Sequence, residues 1–146
     1  MLFKRLKAAT IAAAAVASVA VVATPAEASN CSRGGGVYIC EHGVTTYKLP
    51  NERKQEFVVG TDSAVWTRYQ TNSSGKWSGW QSMGVGGEPV GGPVRALDYE
   101  VYGNEPSDPW TFRVYYFTPS GDYWGRNRDH DGNWSPWHEY ELPLNG

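Results

Sequence analysis

The chain has 146 residues, enough for one domain or two very small ones. Its 13 Lys and Arg stand against 15 Asp and Glu, a net charge of −2, which excludes a strongly basic nucleic-acid binder. With 40% hydrophobic and 19% charged residues it is not a disordered polyelectrolyte, and its 7 Trp, 9 Tyr and 17 Gly point to strands and tight turns rather than helices.

The N-terminus reads as an address. Lys4, Arg5 and Lys7 form a basic start, residues 10–22 are small and apolar, and Ala26-Glu27-Ala28 has the small-x-small pattern of a signal peptidase site. Residues 1–28 are expected to leave as a secretory signal, with cleavage before Ser29. The apolar run is shorter than the ~20 residues a spanning helix needs. No second run follows, so no membrane attachment is expected after removal. The signal takes three basic residues and one acidic residue with it, which leaves a net charge of −4. The expected location is extracellular, and an Ala-rich signal before a Trp- and Gly-rich body suits a bacterial source.

Residues 29–56 form the next segment. Cys31 and Cys40 are the only cysteines. In an exported chain they are expected to pair, clasping a loop that contains Gly34-Gly35-Gly36. Such a clasp contributes roughly 2–3 kcal/mol on the chain-entropy model. There is no Cys-x-x-Cys spacing, so neither a redox centre nor a metal pair is expected. Residues 37–40 suit one short strand.

Residues 57–146 contain an internal repeat. Phe57-Val-Val-Gly-Thr-Asp-Ser-Ala-Val-Trp66-Thr-Arg68 aligns with Tyr115-Tyr-Phe-Thr-Pro-Ser-Gly-Asp-Tyr-Trp124-Gly-Arg126 at an offset of 58. Gly75-Lys-Trp77-Ser-Gly-Trp80 then aligns with Gly132-Asn-Trp134-Ser-Pro-Trp137 at an offset of 57. The units span about residues 57–84 and 112–142, and each reads as three short strands. In the first, strands are expected at 56–60, at 64–70 and from Trp77 to residue 82, with turns at 61–63 and 71–75. On the middle strand Ala64, Trp66, Arg68 and Gln70 share one face, and Val65, Thr67 and Tyr69 the other. Turns of the second unit are expected at 118–122 and 129–132. Between the units, residues 84–93 hold five glycines and two prolines and read as an exposed crossing. Residues 95–102 alternate like a further strand.

The first unit, with its Gly60-Thr-Asp62 turn, Trp66 strand and Trp77-Ser-Gly-Trp80 close, resembles a blade of the PLL-like bacterial β-propeller lectins. The second is looser, because Thr118-Pro-Ser-Gly-Asp122 replaces the Gly-Thr-Asp turn and Pro136 separates its two Trp. The resemblance implies an all-β fold of two blade-like antiparallel units. Two units leave open edges. They are expected either to pack as a small compact β sandwich or to form part of an oligomer-closed propeller, which makes a homo-oligomer one expectation.

The resemblance also implies a non-catalytic, lectin-like carbohydrate-binding protein whose partner is a glycan or glycoconjugate. Aromatic faces stack on sugar rings while nearby polar groups hold the hydroxyls. The matching positions are Asp62, Trp66, Arg68, Trp77 and Trp80, then Trp124, Arg126, Trp134 and Trp137. Each Trp has a packing role as its alternative. Trp77 and Trp80, three apart, face opposite sides of a regular strand, as do Trp134 and Trp137. Arg68 and Arg126 follow a Trp by two, which also suits a structural cation–π stack. Asp129-His130-Asp131-Gly132-Asn133 offers two carboxylates, but it matches only the opening of an EF-hand loop and reads as a turn. No metal or cofactor is expected. His42, His130 and His138 belong to no catalytic motif, and Asp98 with Glu100 are mere strand neighbours, so no enzyme is expected. A protein-binding module, such as an inhibitor or a surface-assembly component, is the alternative function; its aromatic faces would form the interface.

Overall fold

The computed structural model describes residues 28–98 and 108–141. The signal expected at residues 1–28 lies almost entirely outside them, as do Glu100 and the second half of the strand expected at 95–102.

The described chain is all-β, with ten strands and one short 3-10 turn. β1 (Asn30–Arg33) and β2 (Gly36–Ile39) form an antiparallel hairpin. Its two-residue turn, Gly34-Gly35, has φ of 56° and 82°, and a turn that is left-handed at both central positions calls for glycine. Cys31 and Cys40 are disulfide-bonded across its open end, as expected. β1 was not anticipated; its polar Asn-Cys-Ser-Arg sequence shows no apolar alternation.

Two four-stranded sheets follow. The first has β3 (Thr45–Lys48), β4 (Lys54–Val59), β5 (Val65–Tyr69) and β6 (Gln81–Gly84) in chain order, all antiparallel. The second has β7 (Arg95–Asp98), β8 (Phe112–Phe117), β9 (Tyr123–Arg128) and β10 (His138–Tyr140), again antiparallel neighbours in chain order. The third strand expected from Trp77 begins only at Gln81. Before it, Ser78 stands in for the ladder: its N–H reaches the Tyr69 carbonyl at 2.7 Å, and its hydroxyl accepts the Tyr69 N–H at 3.0 Å. Ser135 does the same for Asn127, at 2.9 Å each way. This gives the Ser of each Gly-x-Trp-Ser-x-Trp a backbone-pairing role.

One core lies between the sheets. The first sheet contributes Phe57, Val59 and Val65; the second contributes Phe112, Val114 and Tyr116, with Leu49, Met83, Val90 and Val94 filling in. Phe57, Phe112 and Tyr116 are fully buried, each contributing about 1.5–3 kcal/mol by leaving water. Phe112 stacks on Tyr47 with centroids 3.8 Å apart and meets Phe57 edge-on at 6.2 Å. The other face of the first sheet, carrying Glu56 and Arg68, lies under the β1–β2 hairpin: Arg33 reaches Glu56, and Tyr38 bridges Gly60.

The two sheets therefore bury opposite faces of their shared pattern. On β5, Val65 points into the core and Trp66 toward the hairpin. On β9, Trp124 itself packs against the core.

The propeller expectation is corrected. The three antiparallel sheets are open; among the described residues there is no ring closure and no repeat architecture of the propeller kind. The face that a further blade would cover is already occupied by the disulfide hairpin. The descriptors that came with the resemblance, namely propeller-like, repeat, lectin and carbohydrate-binding, lose that support. What stands of the expected fold is an all-β domain with three antiparallel sheets.

Candidate functional site

The hairpin and the first sheet enclose a groove of about 490 Å³. Its aromatic walls are Tyr38, Trp66 and Trp80; Val37 and Val58 add apolar surface, and Gly34 to Gly36 and Gly79 present bare backbone. Val37 is half exposed at 51%. Among the described residues no charged side chain lines the groove.

The charges nearby are tied to one another beneath it. Glu56, 2% exposed, accepts from Arg33 Nε at 3.0 Å, Arg33 Nη2 at 2.6 Å and Arg68 Nε at 3.0 Å. Burial pushes the Glu56 carboxyl up, but the hydrogen bonds and charges of Arg33 and Arg68 outweigh it and hold the group below the usual carboxylate range. Arg68 also stacks against two rings, 4.3 Å from the Trp77 centroid and 5.0 Å from Trp80.

Both groove indoles have internal partners as well. Trp66 Nε1 donates to Asp62 at 3.1 Å, and Trp80 Nε1 donates to the Arg33 carbonyl at 2.8 Å. Asp62 also accepts the Ala64 N–H, which shapes the turn entering β5. Of the expected site residues, Trp66 and Trp80 line the groove. Asp62 and Arg68 support it, and Trp77 stacks on Arg68.

The second set is placed differently. Trp124, Arg126 and Trp137 line an open recess with residues 85–87, and the indoles of Trp124, Trp134 and Trp137 also reach the core. Trp134 meets Phe112 edge-on at 5.6 Å and Phe57 at 6.1 Å. Trp137 Nε1 donates to the Met83 carbonyl at 2.7 Å, and Arg126 donates to the same oxygen and to Ser135. Gly86 and Gly87 lie flat on the Trp124 ring; a Cβ on Gly86 would stand 2.2 Å from it. The segment at 83–87 thus covers the second sheet as Arg33 to Gly36 covers the first.

The Asp129 loop is a turn. Its carboxylate accepts the N–H groups of Asn133 at 2.8 Å and Asp131 at 2.9 Å, which with burial opposing hold it below the usual range. Among the described residues no group of three or more His, Cys, Asp or Glu stands where it could hold a metal ion. His130 meets the Asp108 carboxylate at 2.7 Å on the surface. No described helix is long and apolar enough to cross a membrane.

Tyr38, Val37 and Gly79 were not anticipated as groove residues. The triple glycine beside a cysteine was the available signal, but it was legible only as a disulfide loop. No family model matches the chain, and no curated protein matches it.

Proposed function

We propose that the chain is an exported, non-catalytic protein-binding module, and that the groove under the disulfide hairpin takes an apolar side chain from an extended segment of its partner. One observation carries this reading: the groove has three aromatic walls and a glycine backbone, while Arg33, Arg68 and Glu56 beneath it are paired with one another. Interface cores are rich in aromatic residues and poor in charge. A sugar ring would need directed side-chain partners for its hydroxyls, and both indole N–H groups here are already engaged. A peptide segment needs only the apolar pocket and exposed backbone to pair with.

The test is selection from a displayed random-peptide library on the secreted, oxidised protein. Enriched peptides should share an apolar or aromatic residue. Their binding should vanish in Gly79→Leu, which fills the groove at a position where an added Cβ meets nothing within 4 Å. Val37→Glu, at an exposed site, should weaken them too. Near-UV circular dichroism checks that both variants keep the fold. Failure to enrich any peptide, or undiminished binding by both variants, removes the reading.

A further inference from the structure

A second recess lies on the opposite side of the first sheet, between it and the second. It measures about 350 Å³, at the small end of ligand pockets. Unlike the groove, it is lined by polar groups whose hydrogen-bonding capacity the protein leaves unused.

Gln55 is the clearest case. It is only 5% exposed, and its Nε2 donates to Thr67 Oγ1 at 3.0 Å. Thr67 donates its own proton to the Glu56 carbonyl at 2.8 Å, so it must accept from Gln55. That fixes the amide orientation. Gln55 Oε1 makes no hydrogen bond within the protein and is open to the cleft, where it is reached by solvent. A donor group of a ligand entering the cleft can take the place of water on this acceptor.

Two opposite charges share the recess. Arg128 is half-buried; its Nη1 donates to the carbonyls of Trp110 at 2.7 Å and Asp129 at 3.1 Å, and its other N–H groups make no hydrogen bond. Asp131 offers a carboxylate with no hydrogen bond and no ion pair. The two do not pair with each other, although both line the cleft. Trp134 and Leu49 supply apolar wall, and Tyr69 brings a phenol from β5.

A ligand that meets all of these demands carries an anion, a cation with donor protons and a side chain, within one residue's volume. We propose that the inter-sheet cleft binds a free α-amino acid. Its carboxylate pairs with Arg128, its ammonium is shared by Asp131 and Gln55 Oε1, and its side chain lies along Trp134.

The experiment is isothermal titration of the secreted, oxidised protein with the free amino acids. The best binder is then retested as its N-acetyl and its amide derivatives. At least one free amino acid should bind saturably, and removing either charge should weaken it about tenfold or more, as expected for loss of a charge-assisted hydrogen bond. Asp131→Asn, in an exposed turn, should weaken the free amino acid similarly but leave any residual N-acetyl binding unchanged. Gly79→Leu, in the other groove, should leave amino-acid binding intact, which separates this site from the peptide groove. Either of two results would overturn the proposal: no free amino acid binds, or the N-acetyl or the amide derivative binds as well as the free amino acid.

Discussion

Glu56→Gln tests the buried charge cluster beneath the hairpin. The carboxylate is 2% exposed and receives three hydrogen bonds from two arginines. The arginine side chains differ sharply in burial: Arg68 is 10% exposed and Arg33 is 44%. Removing one charge from a buried pair leaves the other stranded, at a cost of about 3–5 kcal/mol. Glutamine keeps the shape and one acceptor oxygen, so about 3 kcal/mol is expected, most of it through Arg68. Arg33→Ala breaks a pair that is open to water on one side and should cost only about 1 kcal/mol. Urea unfolding at pH 7 with the disulfide intact reads both as shifts in midpoint at constant slope. The pH dependence follows from the lowered carboxyl: its contribution is complete above the unfolded value of about 4.3 and disappears as pH falls through the lower folded value. The gap between wild type and Glu56→Gln should therefore be constant near neutrality and close in acid. Equal losses in the two variants, or a gap that persists at low pH, would refute the reasoning.

Replacing both Cys31 and Cys40 by Ser should lower stability by about 2–3 kcal/mol for so short a loop, read by the same urea midpoint. It should also shift Trp emission to the red, because Trp80 is anchored to the Arg33 carbonyl of the clasped hairpin. Gly86→Ala places a Cβ 2.2 Å from the Trp124 ring and should cost about 1–3 kcal/mol by overpacking. Gly92→Ala has open space and should stay within about 0.5 kcal/mol of wild type; thermal unfolding of the pair checks the contrast.

Much of the fold was legible locally. The alternation of Val65, Thr67 and Tyr69 against Trp66 and Arg68 placed β5 and its two faces, because a strand's side-chain period is two whatever packs on it. The expectation of export, with only two cysteines in the chain, was enough to pair Cys31 with Cys40. The turns at 61–63 and 129–132 followed from Asp, Ser and Gly, whose side chains and backbone freedom act within a few residues. β1 and β3 escaped notice because they are short and mostly polar, and are held by pairing rather than by apolar alternation.

What the tertiary structure alone decided is which face of each sheet is buried, and against what. Trp66 and Trp124 stand at matching positions of one pattern, yet Trp66 faces the hairpin while Trp124 packs on the core. A propeller would have treated them alike. The hairpin covers the first sheet on the Trp66 side, so that sheet turns its other face to the core, and the second sheet meets it with the Trp124 side. Both recesses are built across such contacts. Gly36 lies against Trp80 in one, and Gln55 and Arg128 line the other, joining residues far apart in the chain. Periodicity specifies that a strand has two faces; only packing chooses the one that leaves water.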